Sequence, residues 1–264
     1  MISFDLDFFP AVFPRDEEER FDLTDRIEGF LSSLIRNGNI VGEHVILEQN
    51  DRWQVRVVSH SPDALDEANW TQFTRDDMAK LRPLLARDAE FHRVIETERE
   101  PTWCDCSSPT RHLLFTHFLD ELGSPVSCLD CRRDVPLYHL PVPEGASERA
   151  ALLSWQDQYQ ALDTLYMLSG VGERFAYRQL ARPKSEFMKQ TRELAANLET
   201  ASQVPTYSFL LHAYKKWGKR CPLCARKWRW KKAPDELFAF KCDHCRLVSS
   251  EASSEAIPLS EMHP

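Results

Sequence analysis

Cys221-Pro-Leu-Cys224 and Cys242-Asp-His-Cys245, with seventeen residues between them, decide the reading of this 264-residue chain. A C-x-x-C turn places two thiolates about 3.5–4 Å apart on one side of a metal ion. A second turn at this separation completes a tetrahedral set, which is the spacing of a zinc ribbon. No βαβ pattern surrounds either pair, so a thioredoxin-like redox reading fits poorly. Such knuckles usually carry glycine after the second cysteine, where φ is positive. Ala225 and Arg246 stand there instead, so the two turns are expected to be strained or slightly different.

Working outward, Cys104-Asp-Cys106 and Cys128-Leu-Asp-Cys131 form a second quartet, with twenty-one residues between the pairs. C-x-C is the less usual spacing, and His112 and His117 lie between the pairs as alternative ligands. The expectation is two Zn2+ ions per chain, both structural, because a four-cysteine site is closed and leaves no position for an activated water. The chain has no H-E-x-x-H and no H-x-E followed by P-C-x-x-C, so neither a metalloprotease nor a base deaminase is expected. A disulfide framework would imply export, and Met1-Ile-Ser-Phe-Asp-Leu-Asp7 does not read as a signal peptide. A cytoplasmic protein is expected. No apolar run approaches the roughly 18 residues of a membrane span. The eight glycines include only one close pair, Gly170-Val-Gly172, which leaves no phosphate-cradling loop. Apolar residues at 42% and charged residues at 28% suit a soluble chain with a real core.

Ahead of the ribbon the pattern is α+β. Ile2, Phe4, Leu6 and Phe8 alternate with Ser3, Asp5 and Asp7, a half-buried strand whose solvent face accounts for both aspartates. A helix is expected over 22–37, capped by Asp22 or Thr24 and ended by Gly38. Strands follow over 40–48 and 52–59, then a helical stretch over 63–87 interrupted at Pro83, then a strand from Phe91 to Thr97. The order βαββαβ over residues 1–99 is that of a ferredoxin-like domain. Residues 100–142 form a first four-cysteine zinc module, with a strand from His112 to Leu119. Pro136-Leu-Tyr-His-Leu-Pro141 reads as a short edge strand bearing a surface His139. Residues 147–212 form a helical segment, in which Leu152, Trp155, Tyr159, Leu162 and Tyr166 recur at helical steps as a core stripe. The basic zinc ribbon spans 213–248, and a Ser/Glu-rich tail at 249–264 reads as disordered.

Charge is divided unevenly. From Lys215 to Arg246 there are eleven Lys/Arg and three Asp/Glu, or +8, while the other 232 residues carry −16. Four zinc-bound thiolates add a net −2. Lys215, Lys216 and Trp217, then Arg226, Lys227, Trp228, Arg229, Trp230, Lys231 and Lys232, interleave cations with aromatic rings. Cations neutralise phosphates and rings stack on unpaired bases, which is the composition of a single-strand nucleic-acid contact. The acidic body suits a basic protein instead, as an immunity or antitoxin protein would when covering a basic toxin such as a nuclease.

The sequence resembles a bacterial family of uncharacterised zinc-ribbon-containing proteins for which nucleic-acid binding is the suggested role. The resemblance rests on Pro136–Pro141, on Trp155-Gln-Asp-Gln-Tyr159, on Gly172-Glu-Arg174, on Arg220-Cys-Pro-Leu-Cys224 and on Phe240-Lys-Cys-Asp-His-Cys-Arg-Leu-Val-Ser249. It implies a ribbon at Cys221, Cys224, Cys242 and Cys245 and no activity; the glycines usual after Cys224 are missing. A non-enzymatic protein binding a macromolecule, with no small-molecule substrate, is the expectation. Nucleic acid is the first choice of partner and a basic protein the alternative. No nucleophile–base motif supports an enzyme.

Overall fold

Alternation at the start of the chain produces β1, Ile2–Phe8, with Ile2, Phe4, Leu6 and Phe8 all buried. The computed structural model describes residues 1–95, 103–120, 122–141, 148–213, 218–228 and 238–250. They fall into two units. One holds Met1–Asp105, Glu121–Ser124 and Arg133–Ala150; the other holds Cys106–Asp120, Pro125–Arg132 and Ala151–Pro264.

In the first unit α1, Glu17–Asn37, starts five residues earlier than the sequence suggested. Asp16, rather than Asp22 or Thr24, accepts the Glu19 N–H at 2.9 Å, and the Glu19 carboxylate accepts the Arg15 N–H at 2.8 Å. This exchange resembles a capping box and satisfies donors the helix end would leave open. Gly38 closes the helix at φ +74°, where a Cβ would meet Leu137 Cβ at 2.6 Å. β2 (Val41–Glu48), β3 (Trp53–Ser59), α2 (Gln72–Leu81) and β4 (Glu90–Ile95) follow. The expected long helix over 63–87 shrinks to α2 flanked by 3-10 turns at Glu67–Asn69 and Arg82–Leu84, the second containing Pro83. The sheet order is β2-β3-β1-β4 with antiparallel neighbours throughout. That is the ferredoxin-like arrangement expected for this region. Leu23, Ile27, Phe30, Leu31 and Leu34 of α1 pack on Phe4, Leu6, Phe8, Trp53, Val55 and Val57 of the sheet. Asp5 is held bidentate by Arg56, and Asp7 lies 3.3 Å from Arg52, so both aspartates have structural partners.

Pro136–Pro141 is not an edge strand. It curls as a 3-10 turn at Leu137–His139. Tyr138 Oη donates to Asp63 Oδ1 and His139 Nε2 meets Asp63 Oδ2, both at 2.9 Å. Arg149 donates to the Tyr138 and Leu140 carbonyls at 3.0 and 2.8 Å. Side chains thus take up backbone and ring groups that a strand ladder would have claimed.

The second unit carries β5 (His112–Leu114), β6 (Val126–Cys128), most of α3 (Glu148–Leu168), α4 (Glu173–Ala181), α5 (Glu186–Ser202), β7 (Thr206–Phe209), β8 (Phe240–Cys242) and β9 (Leu247–Ser249). Its sheet order is β6-β5-β7-β9-β8. The strand expected from His112 to Leu119 stops at Leu114, after which the Phe118 N–H goes to the Asp163 carboxylate at 2.9 Å. β7 interrupts the segment read as helical, and Ser249 belongs to β9, not to the tail. The rest of that tail, 251–264, lies outside the described residues. Leu152, Trp155 and Tyr159 are buried, with Trp155 stacked on Phe187 of α5 at 6.1 Å, while Leu162 and Tyr166 are half-buried, so the stripe is core over its first half.

β5 and β6 form one hairpin, β8 and β9 another, and β7 lies between them, parallel to both β5 and β9. Opposed residues share a face and alternate along a strand. Cys128, His112 and Thr206 are therefore on one face, and Ser208, Leu247 and Cys242 on the same face. Leu113, Tyr207 and Val248 face the other way, into a cluster with Leu129 and Phe238. The two cysteine-bearing hairpins are the two edges of one sheet, four strand spacings or about 19 Å apart.

Candidate metal centres

The sequence places Cys221 and Cys224 on a turn after the Arg220 bridge, and Cys242 and Cys245 on the turn joining β8 to β9. All four sulfurs lie within 4.8 Å of one another, and Cys224 Sγ to Cys242 Sγ is 3.6 Å. A disulfide needs about 2.05 Å; thiolates at about 2.3 Å from a tetrahedral ion stand about 3.8 Å apart, so the spacing fits a metal. The Arg226 N–H draws the Cys224 thiol down to about 7, while burial pushes Cys242 up to about 11 and raises Cys245 as well. Four adjacent thiols cannot all ionise without a cation among them, and a dication meets that need.

The knuckle backbone is left-handed where the usual glycines are missing. Ala225 sits at φ +58° and Arg246 at φ +49°. Arg132, directly after Cys131, sits at φ +62°, so all three C-x-x-C turns have a left-handed residue in the same place. The Ala225 N–H reaches the Cys221 carbonyl at 2.9 Å, and the Arg132 N–H reaches the Cys128 carbonyl at 2.8 Å. Arg246 is held in its conformation by Glu199 of α5, and its guanidinium lies 5.6 Å from the Tyr207 ring centre. Lys241 Nζ lies 4.8 Å from the same ring and 2.8 Å from Asp243. Two of the cations around the second quartet, Lys241 and Arg246, are thus taken up internally. Nothing in the sequence pattern pointed to Glu199 or Tyr207; only the conformation demanded after Cys245 suggests that Arg246 needs support.

The first quartet also gathers. Cys104, Cys106, Cys128 and Cys131 bring their sulfurs within 4.8 Å of one another. None of the eight cysteines is in a disulfide. Neither histidine offered as an alternative ligand belongs to this group. His117 is exposed and accepts the Leu119 N–H. His112 is buried at 2% exposure, and burial holds its pKa below the ordinary value.

Of the residues assigned to nucleic acid, Lys215, Lys216, Trp217, Arg229, Trp230, Lys231 and Lys232 lie outside the described residues. Arg226 and Lys227 are exposed. Trp228 is not available for base stacking. It is 1% exposed, packs on Phe240 with ring centres 5.1 Å apart, and donates Nε1–H to the Gly218 carbonyl at 3.0 Å. Burying its ring is what closes the small core beside the second cysteine quartet with Leu210, Met188 and Leu247. Among the described residues, no helix is long and apolar enough to cross a membrane.

Residues 106–211 match a family described as Domain of unknown function (DUF2310), and residues 213–254 one described as Domain of unknown function (DUF8594). An uncharacterized protein of Haemophilus influenzae is 28% identical over 235 residues, covering 81% of this chain and 85% of that protein. Another from the same organism is 32% identical over 152 residues, covering 54% of this chain and 72% of that protein. Among solved structures, Rv0793 from Mycobacterium tuberculosis aligns over 37% of this chain and 96% of its own at 15% identity and TM-score 0.29. SnoaB, a cofactor-independent oxygenase from Streptomyces nogalater, aligns over 38% and 97% at 17% identity and TM-score 0.28. At these TM-scores neither likeness bears on activity.

Proposed function

The chain belongs to the same bacterial family as these uncharacterized Haemophilus influenzae proteins, and we propose that it is a non-enzymatic zinc protein of the cytoplasm that binds single-stranded nucleic acid along its C-terminal ribbon. The observation that carries this reading is the pairing of its two basic segments. Arg220 and Lys227 form an antiparallel bridge, the Cys221 N–H donates to the Arg226 carbonyl at 2.7 Å, and the Trp228 N–H to the Lys219 carbonyl at 3.4 Å. Lys219, Arg220, Arg226 and Lys227 are all exposed. Cations seven residues apart in sequence, Arg220 and Lys227, therefore stand side by side on one knuckle. A ridge of positive charge on a metal-fixed turn suits a phosphate backbone. Zinc supports the ridge without reacting, since four thiolates fill its coordination sphere.

The test is a fluorescence anisotropy titration of zinc-loaded full-length protein with short single-stranded RNA and DNA at two salt concentrations. Micromolar binding that weakens steeply with salt is expected. Alanine at Arg226 and Lys227 together should weaken it for every sequence and lower the salt slope by about two. Binding that ignores those substitutions, or is absent at low salt, would overturn the reading. Native mass spectrometry should find two zinc ions per chain.

A further inference from the structure

Among the buried histidines of the described residues, His112 is the one whose two ring nitrogens are both unmet. Both of its ring nitrogens are shielded from solvent, and neither has a hydrogen-bond partner among the described residues. A neutral imidazole has one N–H to give and one lone pair to fill, and leaving both unmet in a core costs free energy that an aliphatic side chain would not. The register shows what stands beside it. His112 on β5 is directly opposite Cys128 on β6, and directly opposed side chains share a face with Cβ atoms about 4.5–5.5 Å apart. Cys128 is fully buried and belongs to the first cysteine quartet.

The second centre provides the contrast. There the residue opposite Cys242 is Leu247, an aliphatic side chain. Its thiolates receive backbone N–H groups, from Arg226 to Cys224 and from Cys245 to Cys242. The two centres therefore differ at one equivalent place, imidazole against isobutyl.

We infer that His112 is a positioning residue of the first metal centre, giving its imidazole N–H to the Cys128 thiolate when the metal is bound and so strengthening metal retention at that centre alone. This rests on reading the first quartet as a metal centre. Partners of this kind, one step out from the ligands, typically change metal affinity by about 10–100-fold.

The experiment compares zinc-loaded full-length wild type with H112L and H112Q by following zinc transfer to a competing chelator, and Co2+-substituted protein by its thiolate charge-transfer absorption. Wild type is expected to release two ions. In H112L one ion should leave about 10-fold faster or more, with a shifted charge-transfer band, while the other is unchanged. H112Q keeps an N–H donor and should restore most of the retention. In metal-free protein the sign reverses, because leucine removes a polar group that has no partner: H112L should melt at or above the wild-type temperature. If H112L does not fold, H112M takes its place. Equal release of both ions from wild type and variant, or a variant that loses as much stability without metal as with it, would sink the inference and leave His112 a packed residue. A wild-type chain holding only one ion would instead remove the metal reading of the first quartet.

Discussion

Arg246 lays its guanidinium bidentate on Glu199, with Nε–Oε2 and Nη2–Oε1 both at 2.8 Å. The pair joins a left-handed knuckle residue to α5, and the Arg246 hydrogen bond holds the Glu199 carboxyl below its ordinary range. Both side chains are about a third exposed, so solvent screens much of the attraction. E199A should cost about 1 kcal/mol and hasten zinc release from the C-terminal quartet. Thermal unfolding at low and high salt checks it: the gap to wild type should narrow as salt rises.

Ala225 adopts φ +58° on the surface of the first ribbon knuckle. A Cβ in that conformation presses on the following carbonyl, and glycine does not. A225G should therefore stabilise the zinc-loaded protein by about 1 kcal/mol, partly offset by the greater freedom of the unfolded chain. Chemical denaturation of the two proteins decides it; a loss of stability would show that the turn is not strained.

Trp228 separates core from contact. W228A should cost about 3–5 kcal/mol, as truncating a buried aromatic does, and should loosen the ribbon. W228F keeps most of the packing and loses the bond to Gly218, a cost of about 1–2 kcal/mol. Alanine at the exposed Lys227 next to it should leave stability within about 0.5 kcal/mol. Melting temperatures of the three variants test this ordering.

His60 makes the first unit sensitive to acid. Its Nε2–H donates to the Leu122 carbonyl at 2.7 Å, and burial depresses its pKa from 6.5 to about 4. The unfolded chain takes up a proton near pH 6.5 that the folded imidazole refuses until about pH 4. Stability is therefore full above the upper value and declines as pH falls through that window, by about 3 kcal/mol in all. H60Q should be flatter over the same range. The difference in unfolding free energy between the two proteins, at pH 7 and at pH 4.5 in chelator, measures it with thiol protonation common to both.

Where the sequence spoke clearly, one physical signal dominated. The alternation of Ile2, Phe4, Leu6 and Phe8 could be satisfied only by a strand with one buried face, and cysteine spacing alone gathered both quartets. It failed where a distant residue decided. Pro136 and Pro141 suggest an extended edge, but Asp63 curls the segment by taking Tyr138 and His139. Thr206–Phe209 does alternate, Thr206 and Ser208 against Tyr207 and Phe209, but four residues directly after a helical run are a weak signal, and β7 gets its place from two parallel neighbours. Trp228 sits among cations, which advertises a surface, yet Phe240 and the Gly218 carbonyl draw it inward. The ligands of the candidate centres were legible; Glu199, Tyr207 and the pairing of His112 with Cys128 needed the register.

A sheet whose middle strand is β7 has consequences on the ribosome. The first hairpin is complete at Cys128, but its β5 edge pairs with Thr206–Phe209. At about 5–20 residues per second, nearly eighty further residues take about 4–16 s to emerge. For that interval the nascent chain presents an open strand edge and a buried-type histidine to solvent, and the second hairpin has no template to join until later still. Translation speed across α3 to α5, and any chaperone that shields the early hairpin, would then set how much of the chain reaches its folded state.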